Sequence, residues 1–394
     1  MRSPLTICDM TQFYGTSTGG IKTYLQRKRI FIRDETACRH ILITPGEGDR
    51  ETHEGSLSHY HVAAPRIPSC PAYRFILRPD KVLAILEREK PDIIELGSLY
   101  LLPWVAFRYK RCHGTPVVAF YHTDFPRAYL EKPFKARRLD GLAFTARRLG
   151  EAYVRLLSRR CNGFIAASNT VARRLEEMGI RPVALIPLGV DADLFHPSRR
   201  SVDTRERLGL KPEDLLLLYA GRLDGEKRIS TLLSAFGLIK DVWPGLFVLM
   251  GDGPMKEDVI RETADNAKIR YIPYVSDREE YATMLASADI YVTAGPDETF
   301  GLSIAEAQAS GLPVVGVAAG ALIDRVPEGA GFLGPVDSPK AMAENLLRCS
   351  VSKTCRSMGR FTRRLVEADL SWRRTFEKLL SFYNQCGNET SKPL

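Results

Sequence analysis

Short apolar runs alternate with amphipathic stretches along most of the chain, the pattern that lays helices over a parallel sheet. In the first half the runs at 5–8, 40–44, 93–96, 117–121, 163–167 and 183–187 read as buried strands. The second half restarts the alternation, with runs at 215–220, 246–250, 270–275, 289–293 and 314–317. An Ala-rich stretch with helical spacing, 303–310, is closed by Gly311 and Pro313, a helix stop. Near the end, Trp372, Phe376, Leu379, Leu380 and Tyr383 fall on one helical stripe, expected to pack rather than to do chemistry. Between the halves, 198–204 is polar with no apolar period, which marks a hinge. The pattern predicts an α/β chain of two doubly wound parallel-sheet domains, 1–195 and 196–368, followed by a helix over 369–385.

Composition narrows this only slightly. With 394 residues, 44% apolar and 26% charged, the chain has room for two ordinary globular domains. It starts without a signal-peptide pattern, and its longest apolar neighbourhood, 93–107, contains Glu95 and Pro103 and falls short of a membrane span. The expected location is cytoplasmic. Eight scattered cysteines without C-x-x-C or flanking histidines read as reduced thiols and offer no metal site. Charge adds more. Residues 1–200 carry 32 Lys and Arg against 20 Asp and Glu, a balance of +12, whereas the rest is close to neutral. The excess gathers at 127–160, where Phe134, Leu139, Leu142, Phe144, Leu149, Tyr153 and Leu156 interleave with the basic residues. Helices over 130–160 of this kind suit an anionic membrane surface, peripheral on its inner face, and equally a solvated basic face over a normal core. No nucleic-acid module pattern accompanies them.

Candidate chemistry gathers at the ends of strands. Glu298 falls in a strand-to-helix loop and Glu306 eight steps on, inside the helix. Between them Phe300, Gly301 and Leu302 would offer free backbone N–H groups at the helix start, where anions are favoured. Two acids flanking an amide nest suit a nucleotide sugar, with hydroxyls at each end and phosphates between. Arg222 and Lys227 straddle a Gly-containing turn after 215–220, where they can converge on one diphosphate or simply be solvated. Gly19 and Gly20 open a helix after the first strand, in a loop that is not G-x-G-x-x-G. His122 follows a strand directly, and either faces the crevice where ligands bind in open α/β sheets or caps the strand.

Together these residues resemble the GT-B glycosyltransferases of family 4, over nearly the whole chain. Glu298 and Glu306 match the family's E-x7-E, Arg222 and Lys227 its diphosphate-gripping pair, and Gly19-Gly20 its N-terminal glycine loop. His122 matches the histidine beside the transferred sugar, and Pro187 to Asp191 with Phe195-His196-Pro197 the interdomain signature. The resemblance implies two Rossmann-like domains facing a cleft, the first binding acceptor and the second binding donor, with the 369–385 helix crossing back to the first. It implies a metal-independent, retaining hexosyltransferase that needs no cofactor and uses a nucleoside-diphosphate sugar of the GDP-mannose or UDP-glucose type. Glu306 would hold the ribose, Glu298 the sugar hydroxyls with the N–H groups of Phe300 to Leu302, and Arg222 and Lys227 the leaving diphosphate. His122-Thr123-Asp124-Phe125-Pro126 also resembles a stretch of the mannosyl, glucosyl and sulfoquinovosyl glycolipid transferases, which implies a membrane lipid or glycan acceptor. A sugar-nucleotide epimerase and a non-catalytic sugar-nucleotide binder of the same fold are the rivals. The carboxylate pattern speaks against the first.

Overall fold

The computed structural model describes residues 4–14, 19–67, 70–135 and 137–390. Residues 15–18, the body of the expected glycine loop, lie outside the described residues, as do 391–394 of the 388–394 tail expected to fray, whereas 388–390 belong to the last helix. The chain divides into two compact units, Met1–Pro187 with Arg373–Leu394, and Leu188–Trp372.

Unit one carries strands β1 (Thr6–Met10), β2 (Arg39–Gly46), β3 (Arg50–Glu54), β4 (Leu57–Ala63), β5 (Arg66–Ile67), β6 (Cys70–Arg74), β7 (Ile93–Leu96), β8 (Val117–Phe120), β9 (Gly163–Ala166) and β10 (Val183–Leu185). Eight of them form one sheet in the order β10-β9-β8-β7-β1-β2-β4-β3, parallel except for the β3–β4 pair. β5 and β6 form a separate small ribbon. The central strands are buried on both faces, as near-continuous apolar runs such as Val117 to Phe120 require. The strands between 50 and 74 are not predicted by the pattern. Arg50–Glu54 is polar and exposed along its length, an edge strand held by backbone pairing to β4 and by side-chain contacts such as Glu51 with Arg88 at 2.6 Å.

Unit two carries β11 (Leu215–Ala220), β12 (Gly245–Met250), β13 (Ile269–Ile272), β14 (Ile290–Val292), β15 (Val314–Val317) and β16 (Gly331–Gly334). All pair in parallel, in the order β13-β12-β11-β14-β15-β16. That is the doubly wound order whose direction reverses between β11 and β14, and ligands bind in the crevice beyond the strand ends at such a point. In unit one the corresponding reversal falls between β1 and β7.

Unit two starts at Leu188, seven residues before the predicted boundary at 195. The Val190 N–H donates to the Leu370 carbonyl at 3.1 Å, and Phe195 is fully buried with its ring edge-on to Tyr281. Arg200 and Arg205 reach Asp289 at 2.8 and 2.9 Å, and Ser201 caps the helix Val202–Arg207. The stretch is polar because it is tied down by ion pairs and a cap, and it belongs to unit two from Leu188 onward. The last helix, Trp372–Thr390, returns to unit one from Arg373. Phe376, Leu379 and Tyr383 are buried as the stripe predicts, while Trp372 and Leu380 are only partly covered.

Candidate functional site

In unit two the loops after β11 and β14 meet at the reversal point. Beyond Ala220 the chain turns through Gly221 to Asp224, whose side chain accepts the Lys227 N–H at 3.0 Å and starts a short 3-10 turn, Gly225–Lys227. The Tyr219 hydroxyl donates to the Arg222 carbonyl at 2.7 Å and that of Tyr291 to the Ala220 carbonyl at 2.9 Å, so two strand tyrosines fix this turn from below. Lys227 is then largely buried and its ammonium pairs with Glu298 from the other loop. Burial disfavours the ammonium, but the charge and hydrogen bond of Glu298 outweigh it and hold the Lys227 pKa above its ordinary value. Arg222 is half-exposed and forks between Asp224 at 2.8 Å and Glu226 at 3.0 Å.

The Glu298 loop is clamped as well. Gly320 sits at φ +56°, where a Cβ would stand 2.6 Å from the Pro296 carbonyl oxygen and 2.7 Å from that of Glu298. The next N–H, of Ala321, donates to the Glu298 carbonyl at 2.7 Å. Gly301 takes φ +77° and starts the helix Leu302–Ala309, which presents Glu306 at its buried second turn. Phe300 is buried with the Arg325 guanidinium over its ring at 5.0 Å.

Arg278 is the residue that sequence reasoning missed. It stands at the start of the helix Arg278–Ser287 and donates to Glu306 Oε1 at 2.7 Å. Its guanidinium also lies over the rings of Phe195, at 4.8 Å, and Tyr281, at 5.5 Å. Burial works against that charge and Glu306 more than compensates, raising the Arg278 pKa. Only the adjacent 270–275 run, which ends in Pro273-Tyr274-Val275, hinted that this corner borders the site. The structure thus gathers Arg222, Lys227, Glu298, Phe300, Gly301, Leu302 and Glu306 in unit two. His122, Gly19 and Gly20 lie in unit one.

In unit one, His122 follows β8 and lines a pocket with Phe13, Gly97, Tyr100 and Phe125, beyond the ends of β1, β7 and β8. Its ring stacks on Phe120 at 4.1 Å and tilts against Tyr24 at 5.3 Å. Burial pushes its pKa down to about 3 against the pull of Asp9, so the imidazole is neutral near pH 7. Asp124 accepts from the Tyr121 hydroxyl at 3.1 Å and lies 3.5 Å from Arg174, which anchors the loop after His122. Gly19 caps the helix Gly20–Glu35 at φ −151°, a conformation open to any residue, and a Cβ on Gly19 or Gly20 would meet nothing within 4 Å.

Comparison with known proteins finds relatives along most of the chain. Residues 19–194 match the family described as Glycosyltransferase Family 4, and residues 202–364 that described as Glycosyl transferases group 1. A GDP-mannose-dependent alpha-(1-6)-phosphatidylinositol dimannoside mannosyltransferase of Mycobacterium tuberculosis is 28% identical over 96% of this chain and 95% of its own. A GDP-mannose-dependent alpha-mannosyltransferase of Corynebacterium glutamicum is 30% identical over 74% of this chain and 68% of its own. Among solved structures, a sucrose-phosphate synthase of Thermosynechococcus elongatus superposes with a TM-score of 0.78 at 19% identity, covering 98% of this chain and 100% of that one. The chain is therefore a hexosyltransferase that belongs to glycosyltransferase family 4 and carries the GT-B fold.

Proposed function

We propose that the chain transfers mannose from GDP-mannose, with retention, to a hydroxyl of a lipid-linked acceptor. The observation that carries the reading is the pairing of Lys227 with Glu298 and of Arg278 with Glu306 across the reversal point of unit two. Each acid is held by a cation that a nucleotide sugar would engage or displace. The diphosphate takes Lys227 and Arg222, which stabilise the charge that builds on the leaving group. Glu306 accepts from the ribose hydroxyls. Glu298, freed from Lys227, accepts from the sugar hydroxyls, while N–H groups from Phe300 to Leu302 face the phosphates. Glu298 acts as a hydroxyl binder rather than a nucleophile, so the acceptor attacks on the face the diphosphate leaves, and a phosphate oxygen takes its proton. His122, being neutral, contributes a hydrogen bond to the sugar rather than a charge. The donor base follows the two mannosyltransferase relatives, and the lipid follows the first of them.

A membrane-facing acceptor is supported by the helix Asp140–Ser158. Its inner side buries Ala143, Gly150, Val154 and Leu157, yet Leu142, Leu149 and Leu156, at seven-residue intervals, remain 54%, 67% and 40% exposed. Arg148 lies on the same outward side. Leucines left in water beside arginine fit the headgroup region of an anionic bilayer. No helix among the described residues is long and apolar enough to cross a membrane.

Thermal unfolding with GDP, UDP and ADP, for the wild type and Glu306→Ala, tests the donor. At about 100 times its dissociation constant a nucleotide stabilises by roughly 2.7 kcal/mol. GDP alone should raise the wild-type midpoint and leave that of the variant unmoved. A response to none of the three would favour a protein that has kept the fold without the activity. Sedimentation with phosphatidylinositol liposomes tests the surface, where Leu149→Glu should abolish binding.

A further inference from the structure

Beneath His122, unit one seals a set of titratable side chains that no step above uses. Asp9 on β1, Glu95 on β7, His40 on β2, Tyr24 and Lys28 on the helix Gly20–Glu35, and Tyr383 on the last helix are each at most 2% exposed. The Lys28 ammonium donates to Asp9 at 2.7 Å and to the Tyr383 oxygen at 2.6 Å, and stands 3.4 Å from Glu95. The hydroxyls of Tyr383 and Tyr24 both donate to Glu95, that of Tyr24 at 3.0 Å. Arg29 donates to His40 Nδ1 at 3.3 Å, which leaves the proton on Nε2 to donate to Asp9 at 2.6 Å.

A core of this kind is a poor source of net stability. Sealed charges pay a desolvation penalty of several kcal/mol per ion, and apolar side chains of equal volume commonly replace them without loss. What directional bonds supply and an apolar core does not is a fixed orientation. Here one branch of the network ends against the His122 ring. Tyr24, whose hydroxyl is held by Glu95, leans on His122, and Phe376 of the last helix packs on Tyr24 at 6.0 Å.

We propose that this sealed network is a positioning device in which Tyr383, Lys28 and Glu95, acting through Tyr24, set the plane of the His122 ring. The last helix is thereby part of the transfer machinery, a conclusion that rests on the role of His122 given above.

The test is nuclear magnetic resonance of the full chain with nitrogen-labelled histidine, the His122 signals being assigned by their loss in His122→Asn. Tyr383→Phe and Tyr24→Phe each remove one hydroxyl and keep the ring. Both should move the His122 ring-nitrogen resonances and leave those of His196, in unit two, in place. Both should also lower kcat for transfer from GDP-mannose about tenfold to a hundredfold, as misoriented groups do, with KM for GDP-mannose unchanged. Glu95→Gln, which keeps an acceptor for Tyr24, should retain most of the activity. Unmoved His122 resonances in the folded variants overturn the proposal. Should Tyr383→Phe fail to fold, Tyr24→Phe decides by the same readings. Shifted resonances in a protein whose wild type moves no sugar from GDP-mannose would uphold the network and overturn the donor reading instead.

Discussion

Lys28 and Lys227 each face carboxylates, yet the side chain of Lys28 is 1% exposed and that of Lys227 is 18%. The partners differ in the same way. Asp9 and Glu95 lie sealed between a sheet and two helices, whereas Glu298 sits on a loop at a strand end and Arg222, on the turn that carries Lys227, is half-exposed. Both sets join cations to acids across elements far apart in the chain. Only the second lies where phosphate can replace a carboxylate as the partner. Charge at the rim of a parallel sheet can exchange partners with a ligand; charge under the sheet is shut off from any ligand and suits geometry.

The largest expected effect lies in the sealed set. Lys28→Met leaves Asp9 and Glu95 buried without their cation, and breaking a buried pair from one side costs about 3–5 kcal/mol. Urea unfolding of the variant measures this directly. A loss below about 1 kcal/mol would mean that water reaches the network, and the contrast with the loop pair would be gone. Lys227→Ala should behave in the opposite manner. Lys227 and Glu298 are 18% and 17% exposed, between a surface pair and a sealed one, so stability should fall by about 1–3 kcal/mol, less than for Lys28→Met. Its kcat should fall by roughly 10²–10³, the usual effect of removing one group that stabilises developing charge. Steady-state kinetics beside the same urea titration separates the two readings. A variant that lost stability but kept its kcat would make Lys227 a structural residue.

The two sets were not equally legible in the sequence. Glu298, Arg222 and Lys227 stand at turns that follow apolar strands, and Glu306 in the helix that opens from one of them, so strand order brings them to one crevice. Arg278 was invisible because its meaning depends on packing against Phe195 and Glu306, distant in the chain and set by how helices dock. The sealed network was equally hidden. Glu95 interrupts the 93–96 run and Asp9 directly follows the 5–8 run, which was a signal, but nothing local names Lys28 or Tyr383 as their partners. Tyr383 was read correctly as buried; that its hydroxyl carries the point was not. The polar stretch at 198–204 has a partner that the sequence does not reveal, since Asp289 holds Arg200 and Arg205. Residues 50–54 escaped because an exposed edge strand needs no apolar period.

The smallest expected effect is a pH dependence, and it sharpens the contrast most. Burial pushes the Glu95 carboxyl up to about 7 from an ordinary 4.5, with Lys28 opposing and Asp9 adding to the rise. Burial also acts on Asp9, but there Lys28 and His40 prevail and bring its pKa down to about 2 from 3.8. The signs are opposite. Glu95 binds its proton more tightly folded than unfolded, so its contribution is complete below about pH 4.5 and is lost as pH rises through about 7. Asp9 contributes above about pH 3.8, and that contribution is lost as pH falls through about 2. Glu95→Gln holds the first group neutral at every pH and leaves the second alone. Wild-type stability minus that of Glu95→Gln should therefore decline between pH 4.5 and 7, by up to roughly 3 kcal/mol at about 1.36 kcal/mol per unit. Lys227, whose pKa is raised above 10.5, stays charged throughout that window and adds no slope of its own. Urea titrations of both proteins at half-unit steps would resolve the difference. If the two curves run parallel from pH 4.5 to 7, Glu95 ionises as freely as a surface acid, and the network beneath His122 is wet rather than sealed.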